Sequence, residues 1–388
     1  MKEVTGGVCA VRGVRAYGIK EGKNGLAVIT GSGTSSGVFT RNKIIAAPLV
    51  VTREHLKSQQ ISAIIANSGC ANAFTGEQGL SDATSMAAIV ADRLGVRTGS
   101  IAPASTGVIG VPLDMEWIED QIDSVIAGLS DTADGSTAAA RSIMTTDIYP
   151  KEFAVELSSG VRIGGIAKGS GMISPNMATM LAFIYTDAAI PYGMLNSCLK
   201  RAVNRSFNMI VVDGDTSTND MVLLTATAEM KVGTPDEPGL SEPEFQEGLD
   251  CVCTELAKMI VRDGEGAERF IVARVTGAKT DGDAKKAAKA IVTSPLVKTA
   301  VHGEDPNWGR VIAAAGYSGA DLDPGRISLA ISGVTVVDRG RIVDGAVVDM
   351  SGTDIEIVVD LGLGACEAVA WGCDLTCEYV RINAEYTS

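Results

Sequence analysis

The chain is 388 residues long, enough for one large domain or two of ordinary size with a core that needs no disulfide or metal to hold it. Its 33 Lys and Arg against 47 Asp and Glu give a formal net charge of -14, which argues against a nucleic-acid backbone or an anionic membrane as partner, since both require clustered cations. No stretch reaches the roughly 18 consecutive apolar residues of a membrane span, and "MKEVTGGVCAVRG" at the start has no apolar run after Lys2, so a soluble, cytoplasmic protein is expected.

Helical and strand signals alternate along the chain. "ISAIIANSG" (61–69) predicts a short buried strand running into the Gly/Asn-rich loop "NSGCANAFTGEQG" (67–79). "SDATSMAAIVADRLG" has the period of a helix, with Ser81 as N-cap and Gly95 as its stop. "IAPASTGVIGVPL" (101–113) predicts a short strand ending in Ser105-Thr106-Gly107, and "LDMEWIEDQIDSVIAGL" an amphipathic helix capped by Asp114. "KEFAVELSSGVRIGGIA" alternates on both sides of Ser158-Ser159-Gly160, which predicts a hairpin. "TMLAFIYTDA" predicts an apolar strand, followed by a helix over 192–206 and a strand in "NMIVV". "KVGTPDEPGLSEPE" (231–244) reads as a surface loop, and "SEPEFQEGLDCVCTELAKMIV" as a long helix opened by a Ser241/Glu244 capping box. "RISLAISGVTVV", "DIEIVVDLG" and "DLTCEYVRI" predict strands. Interspersed elements with several hairpin signals, and no solenoid repeat or low-complexity tract, predict an α+β fold of layered sheets and helices over a doubly wound parallel sheet.

The eight cysteines, at 9, 70, 198, 251, 253, 366, 373 and 377, form no C-x-x-C pair, and only His55 and His302 accompany them. No metal site is expected from that pattern, and Cys366, Cys373 and Cys377 are expected in the core. "VVDGDTSTND" (211–220) groups Asp213, Asp215 and Asp220 but lacks the positions of a calcium loop and reads as an acidic turn. "VRDGEGAERF" sets Glu265 between glycines, which suits ligand contact or simple helix termination. His302, in "HGEDPNWGR", has no nucleophile that the sequence identifies for it.

One junction stands apart. "IAKGSGMISPNMATMLAFIYTDAAI" (166–190) puts a Gly/Ser/Pro/Asn loop directly against an apolar run, with Thr179 at the boundary. This is either an ordinary strand entrance or the presentation of a nucleophile. A threonine hydroxyl needs a base at neutral pH, and cutting the Ala178–Thr179 bond would free an α-amine of pKa about 8 in the same residue to serve as one. An acyl-transfer nucleophile also needs donors for the oxyanion. Ser105-Thr106-Gly107, a plain turn in isolation, offers a hydroxyl and converging backbone N–H groups as its partner.

Together "STGVIG", "IMTTDIYPK", "IAKGSGMISPNMATMLAF", "DGDTSTND", "RDGEGA", "HGEDPNWGR" and the terminal "NAEYTS" resemble the ornithine/glutamate N-acetyltransferases of the cyclic arginine pathway, over essentially the whole chain from "GGVCAVRGVRAYGI" onward. The resemblance implies a precursor that cuts itself before Thr179, giving residues 1–178 and 179–388 as two chains of one catalytic unit, a heterotetramer of two copies of each. It implies Thr179 as nucleophile, Thr106 and Gly107 as oxyanion hole, and Thr145, Lys168, Glu265, Asn383 and Ser388 as substrate contacts, with Thr146 a near-equal alternative to Thr145. The family often ends in threonine where this chain has Ser388, which preserves the hydroxyl. The implied reaction moves acetyl from N2-acetyl-L-ornithine to L-glutamate through an acetyl-Thr179 ester, with no cofactor. Acetyl-CoA as a second donor stays open: the Q/R-x-x-G-x-G/A coenzyme loop is absent, "RAYGIK" (15–20) failing at Lys20. The rival readings are a self-processing aminopeptidase or amidase using the same threonine, and a non-catalytic binding protein.

Overall fold

The computed structural model describes residues 1–174, 180–230 and 240–385. A nine-stranded sheet runs in the order Lys2–Glu3, Lys151–Glu156, Arg162–Lys168, Leu181–Ala188, Met221–Met230, Asn24–Phe39, Gln60–Cys70, Ile101–Val108, with Arg15–Glu21 paired to Asn24–Phe39. A seven-stranded sheet follows in the order Arg341–Ile342, Val334–Asp338, Ser328–Ile331, Asp354–Asp360, Phe270–Ala278, Cys366–Cys373, Ile210–Val211. Both sheets mix parallel and antiparallel pairs, and the fold class is α+β as expected.

The helix Glu242–Arg262 packs against both sheets. Its buried Phe245, Leu249, Val252, Leu256 and Ile260 recur every three or four residues, the stripe a helix must present to be covered. They share one core with Ala182, Ile184, Val222 and Leu224 of the larger sheet and Ile271, Ala273, Ile355 and Ile357 of the smaller. The alternate residues Leu181, Phe183, Tyr185, Met221 and Leu223 enter a second core with Val8, Val11, Ala139, Ala140, Ile64, Ala102 and Ala104. Strands buried on both faces explain why "TMLAFIYTDA" reads as continuously apolar.

That second core joins strands far apart in the sheet order because the long strand Asn24–Phe39 is a corner. Its first part pairs with Gln60–Cys70 and its last part with Met221–Met230, with a register break between Thr30 and Gly33. A Cβ at Gly33 would lie 1.9 Å from the carbonyl oxygen of Ala226, and one at Gly31 2.8 Å from the Tyr185 ring. Glycine is what permits the sheet to bend and close there.

Four of the expected elements differ. The helix expected to begin at Ser81 spans Gly76–Leu94. Gly79 sits inside its first turn, where a Cβ would strike the Thr75 hydroxyl that bonds Asn72. "DLTCEYVRI" is not a strand: the strand is Cys366–Cys373, and Cys377–Glu385 is a helix. The Thr376 hydroxyl accepts the Tyr379 N–H at its start, and Arg381 bridges Glu378 and Glu385 along it. In "NMIVV" only Ile210–Val211 is strand, after a single helical turn at Phe207–Met209. The capping box is half formed: Ser241 accepts the Glu244 N–H, but the Glu244 carboxylate accepts from Ser158 and Ser159 of the hairpin turn. Of the C-terminal cysteines, Cys373 is buried as expected, Cys366 is half-buried and Cys377 is exposed. Most of the expected loop at 231–244 lies outside the described residues. Among the described residues no helix is long and apolar enough to cross a membrane.

Tyr185 is fully buried, and its hydroxyl has no hydrogen-bond partner among the described residues. Removing an unpaired buried hydroxyl recovers a desolvation penalty of about 1 kcal/mol or more. Tyr185→Phe is therefore expected to raise the denaturation midpoint at unchanged slope; a lower midpoint would mean that the hydroxyl is satisfied.

Candidate active site

In the strand Arg162–Lys168, Ile166 enters the second core and Lys168, two residues on, shares its face; in Ile101–Val108, Ala102 and Ala104 do the same and Thr106 follows them. Four strands separate these two in the sheet order, about 24 Å if the sheet were flat. The corner folds the sheet over so that Lys168 Nζ stands 3.3 Å from Thr106 Oγ1. Around this contact lies a cavity of about 270 Å³ lined by Thr106, Gly107, Thr145, Thr146, Lys168, Gly171, Met172, Ser217, Thr218, Asn219, Glu265 and Asn383, with Ala71 and Ile109. Six residues expected at a site are thus brought together: Thr106, Gly107, Thr145, Lys168, Glu265 and Asn383. Ala178, Thr179 and Ser388 lie outside the described residues.

Lys168 is buried, and its ammonium donates to Thr145 Oγ1 at 2.8 Å and Thr106 Oγ1 at 3.3 Å, with Asp147 Oδ2 at 3.8 Å. Of the two candidate threonines, it is Thr145 that holds this ammonium; Thr146 lines the cavity beside it. Burial pushes the Lys168 pKa down, and Asp147 opposes the shift. Asp147 is itself tightly held: Oδ1 accepts from Lys151 Nζ and from the Gly169 N–H, each at 2.7 Å, and Oδ2 from the Thr145 N–H. Burial works against its ionised form, yet the Lys168 and Lys151 ammoniums hold its carboxyl well below the usual carboxylate range. Lys151, fully buried, also reaches Asp263 at 2.5 Å. Asp263 accepts the Ile148 N–H through its carboxylate and the Ser170 hydroxyl through its carbonyl. This buried network ties the segments 145–148, 168–170 and 263–265 into one frame.

Gly107 pairs in register with Gly69, at φ of +135° and +101° respectively. A Cβ on Gly107 would lie 2.3 Å from the Gly69 carbonyl carbon, so glycine is required for the two strands to approach. Asn219 Nδ2 donates to the carbonyls of Ala71 and Ser105, fixing the loop 217–219 to the same strand ends. Because the Thr106 oxygen accepts from an ammonium, its own proton is free to be donated into the cavity, as an oxyanion donor requires.

Glu265 is held by Asn383 Nδ2 at 2.9 Å and, through its backbone N–H, by the Ser170 carbonyl. A Cβ at Gly171 would lie 2.4 Å from its carboxylate, so any side chain there displaces the Glu265 head group. Asp213, expected in an acidic turn, accepts the N–H groups of Met172, Ile173 and Asp215 and so anchors the loop after Lys168. Asp220 accepts the Met180 N–H with one oxygen, while the other has no partner among the described residues. Burial pushes its carboxyl well above the usual range, with the Met180 N–H opposing. His302 does not line the cavity; it pairs with Asp374 at 3.0 Å.

Sequence reasoning missed Asp147, Lys151 and Asp263, although each stands within a few residues of one it singled out, in "MTTDIYPK" and "RDGEGA". It also read "DGDTSTND" for its acids, whereas Ser217, Thr218 and Asn219 are the residues that reach the cavity.

Residues 11–388 match the ArgJ family. The chain is 55% identical over 399 residues to the glutamate N-acetyltransferase of Methanosarcina mazei, with 100% of both chains covered. It is 48% identical over 404 residues to the arginine biosynthesis bifunctional protein ArgJ of Symbiobacterium thermophilum, again with 100% of both covered. A crystal structure of arginine biosynthesis bifunctional protein ArgJ from Bacillus halodurans is 43% identical, covering 53% of this chain and 98% of that one at a TM-score of 0.48. On the full-length match to the family and to these relatives, the chain belongs to the ArgJ family.

Proposed function

We propose that this protein moves the acetyl group of N2-acetyl-L-ornithine to L-glutamate, in arginine biosynthesis, through an ester on Thr179 that becomes available when the chain cuts itself at Ala178–Thr179. The observation that carries this reading is the junction of a buried ammonium with a polarised hydroxyl: Lys168, suited to an amino acid's α-carboxylate, beside Thr106, suited to an oxyanion. Thr179 is tied to that junction through the chain itself. It lies two residues before Leu181, which pairs in register with Lys168, and two residues of chain of any conformation span at most about 7 Å. The M. mazei and S. thermophilum relatives, by their names, support the same reaction class.

The freed α-amine of Thr179 takes the hydroxyl proton as Oγ attacks the acetyl carbonyl. The carbonyl oxygen gains the negative charge and receives hydrogen bonds from the Thr106 hydroxyl and the Gly107 N–H. The tetrahedral centre then collapses, and ornithine departs with the proton on its α-nitrogen. Glutamate's neutral amine attacks the ester through the same oxyanion site, and the proton it loses returns to Thr179 Oγ. Lys168 and Thr145 hold the α-carboxylate, Glu265 with Asn383 the side-chain ammonium of ornithine, and Ser388 is a further substrate contact in this reading. The two fragments, 1–178 and 179–388, remain one catalytic unit in this reading, in a cytoplasmic heterotetramer of two copies of each. Supporting this, strands from before residue 178 and after residue 179 interleave in the larger sheet. No cofactor is required; acetyl-CoA is a candidate second donor.

Intact mass of the purified protein is expected to give fragments ending at Ala178 and beginning at Thr179, and Thr179→Ala a single uncut chain. An uncut and fully active wild type would end this mechanism. Thr106→Ala is expected to lower kcat by on the order of 10² to 10³ with little change in KM, the loss of one aimed oxyanion donor; a change confined to KM would contradict the role. Ornithine must leave before glutamate reacts, so double-reciprocal plots should be parallel, and N-acetylornithine alone should acetylate only the Thr179-initiated fragment. Acetate release without glutamate would instead identify a hydrolase. Replacing N-acetylornithine by acetyl-CoA in the same assay tests the second donor.

A further inference from the structure

The donor and the acceptor of the proposed reaction differ in charge. N-acetylornithine carries one carboxylate and one ammonium and is neutral overall. Glutamate with its amine free to attack carries two carboxylates, and the Glu265 carboxylate that suits an ammonium repels the second of them. A site serving both therefore needs another cation within reach of Lys168 and away from Glu265.

Lys20 meets that requirement. A second cavity, of about 130 Å³, is lined by Lys20, Gly22, Lys23, Gly69, Gly107, Val108 and Thr145. Gly107 and Thr145 line the main cavity as well, so the two meet at the oxyanion position and at the residue that holds Lys168. Lys20 Nζ is held in place by three neutral acceptors: the Met144 carbonyl at 2.6 Å, Ser68 Oγ at 2.7 Å and, more loosely, the Lys23 carbonyl at 3.2 Å. Lys20 and Lys168 thus grip successive residues, Met144 and Thr145.

Unlike Lys151 and Lys168, Lys20 has no carboxylate within ion-pair distance among the described residues. Burial, and after it the charge of Lys168, lowers the Lys20 pKa to about 8, with Asp147 opposing. An ammonium so placed gains from any anion that enters. The weak bond to Lys23 is the one such an anion would replace, and Gly22, Gly69 and Gly107 line the cavity with no side chains to fill it.

We propose that the Lys20 cavity is the subsite for the side-chain carboxylate of the acetyl acceptor, so that donor and acceptor share Lys168 and diverge, ornithine's ammonium toward Glu265 and glutamate's second carboxylate toward Lys20. The inference rests on the transferase reading above.

The test compares Lys20→Met, Lys20→Gln and Lys20→Arg in the self-processed protein, with N-acetylornithine as donor and either glutamate or glutamine as acceptor. Loss of a charge-assisted contact is expected to raise KM for glutamate roughly tenfold or more in both neutral variants, with KM for N-acetylornithine changed less than about twofold. The preference for glutamate over glutamine should collapse with it, and Lys20→Arg should restore most of both. Lys20→Gln keeps a donor for Ser68 and Met144, so a fold defect peculiar to the methionine does not obscure the answer. Retention of the glutamate preference in Lys20→Gln, or an equal rise in KM for donor and acceptor, overturns the subsite while leaving the transferase intact. A wild type that acetylates no amino acid overturns both.

Discussion

A buried ammonium has to be satisfied from every side, and at Lys168 the satisfying groups come from three separate stretches of chain, around Thr106, 145–151 and Asp263. The Thr106 and Thr145 hydroxyls accept from it directly, Asp147 balances it at 3.8 Å, and Lys151 with Asp263 hold Asp147 in place. Isolated charges taken from water cost far more than a single hydrogen bond returns, so such a cluster persists only when complete. The arrangement of the cavity follows: the segments that carry Thr106, Thr145, Lys168 and Glu265 cannot drift apart without exposing an unpaired charge to the core.

Completion of that cluster depends on a bent sheet. Thr106 and Lys168 belong to strands separated by four others, and only the corner in Asn24–Phe39 brings their faces together. The same fold-over puts Phe183 and Tyr185 in one core with Ile64, Ala102 and Ala104, so apolar burial supplies the force that holds Lys168 and Thr106 in register. Glycines appear where this closure needs contact between main chains, at Gly33 against Ala226 and at Gly107 against Gly69.

The interleaving of strands also bears on the proposed self-cleavage. Arg162–Lys168 pairs along its length with Leu181–Ala188, and Asn24–Phe39 with Met221–Met230. A cut between residues 178 and 179 would fall outside both ladders and outside the described members of the two shared cores. Separation of the fragments would require breaking a central part of the sheet.

Much of the site was legible in the residues themselves. A Gly/Pro loop meeting an apolar strand at one threonine, a hydroxyl beside a glycine at the end of "IAPASTG", and an acid between glycines in "RDGEGA" are local patterns whose chemistry is carried by residue type, and the described members converge on one cavity. Helices such as Met115–Gly128, capped by Asp114, and Tyr192–Arg205 were legible for the same reason: period and caps are local. What the sequence could not disclose was long-range. "ITGSGTSSGVF" has the composition of a turn, and it is a strand because Gln60–Cys70 and Met221–Met230 pair with it, with Tyr185 and Ala226 packed on Gly31 and Gly33. "DLTCEYVRI" has β-branched and aromatic residues that favour a strand, yet a cap at Thr376 and the Glu378–Arg381–Glu385 ladder make it the helix that delivers Asn383 to Glu265. Asp147, Lys151 and Asp263 look like ordinary surface charges until the fold buries them together. Their meaning lies in which opposite charge they meet in the core, and that is decided by tertiary structure alone.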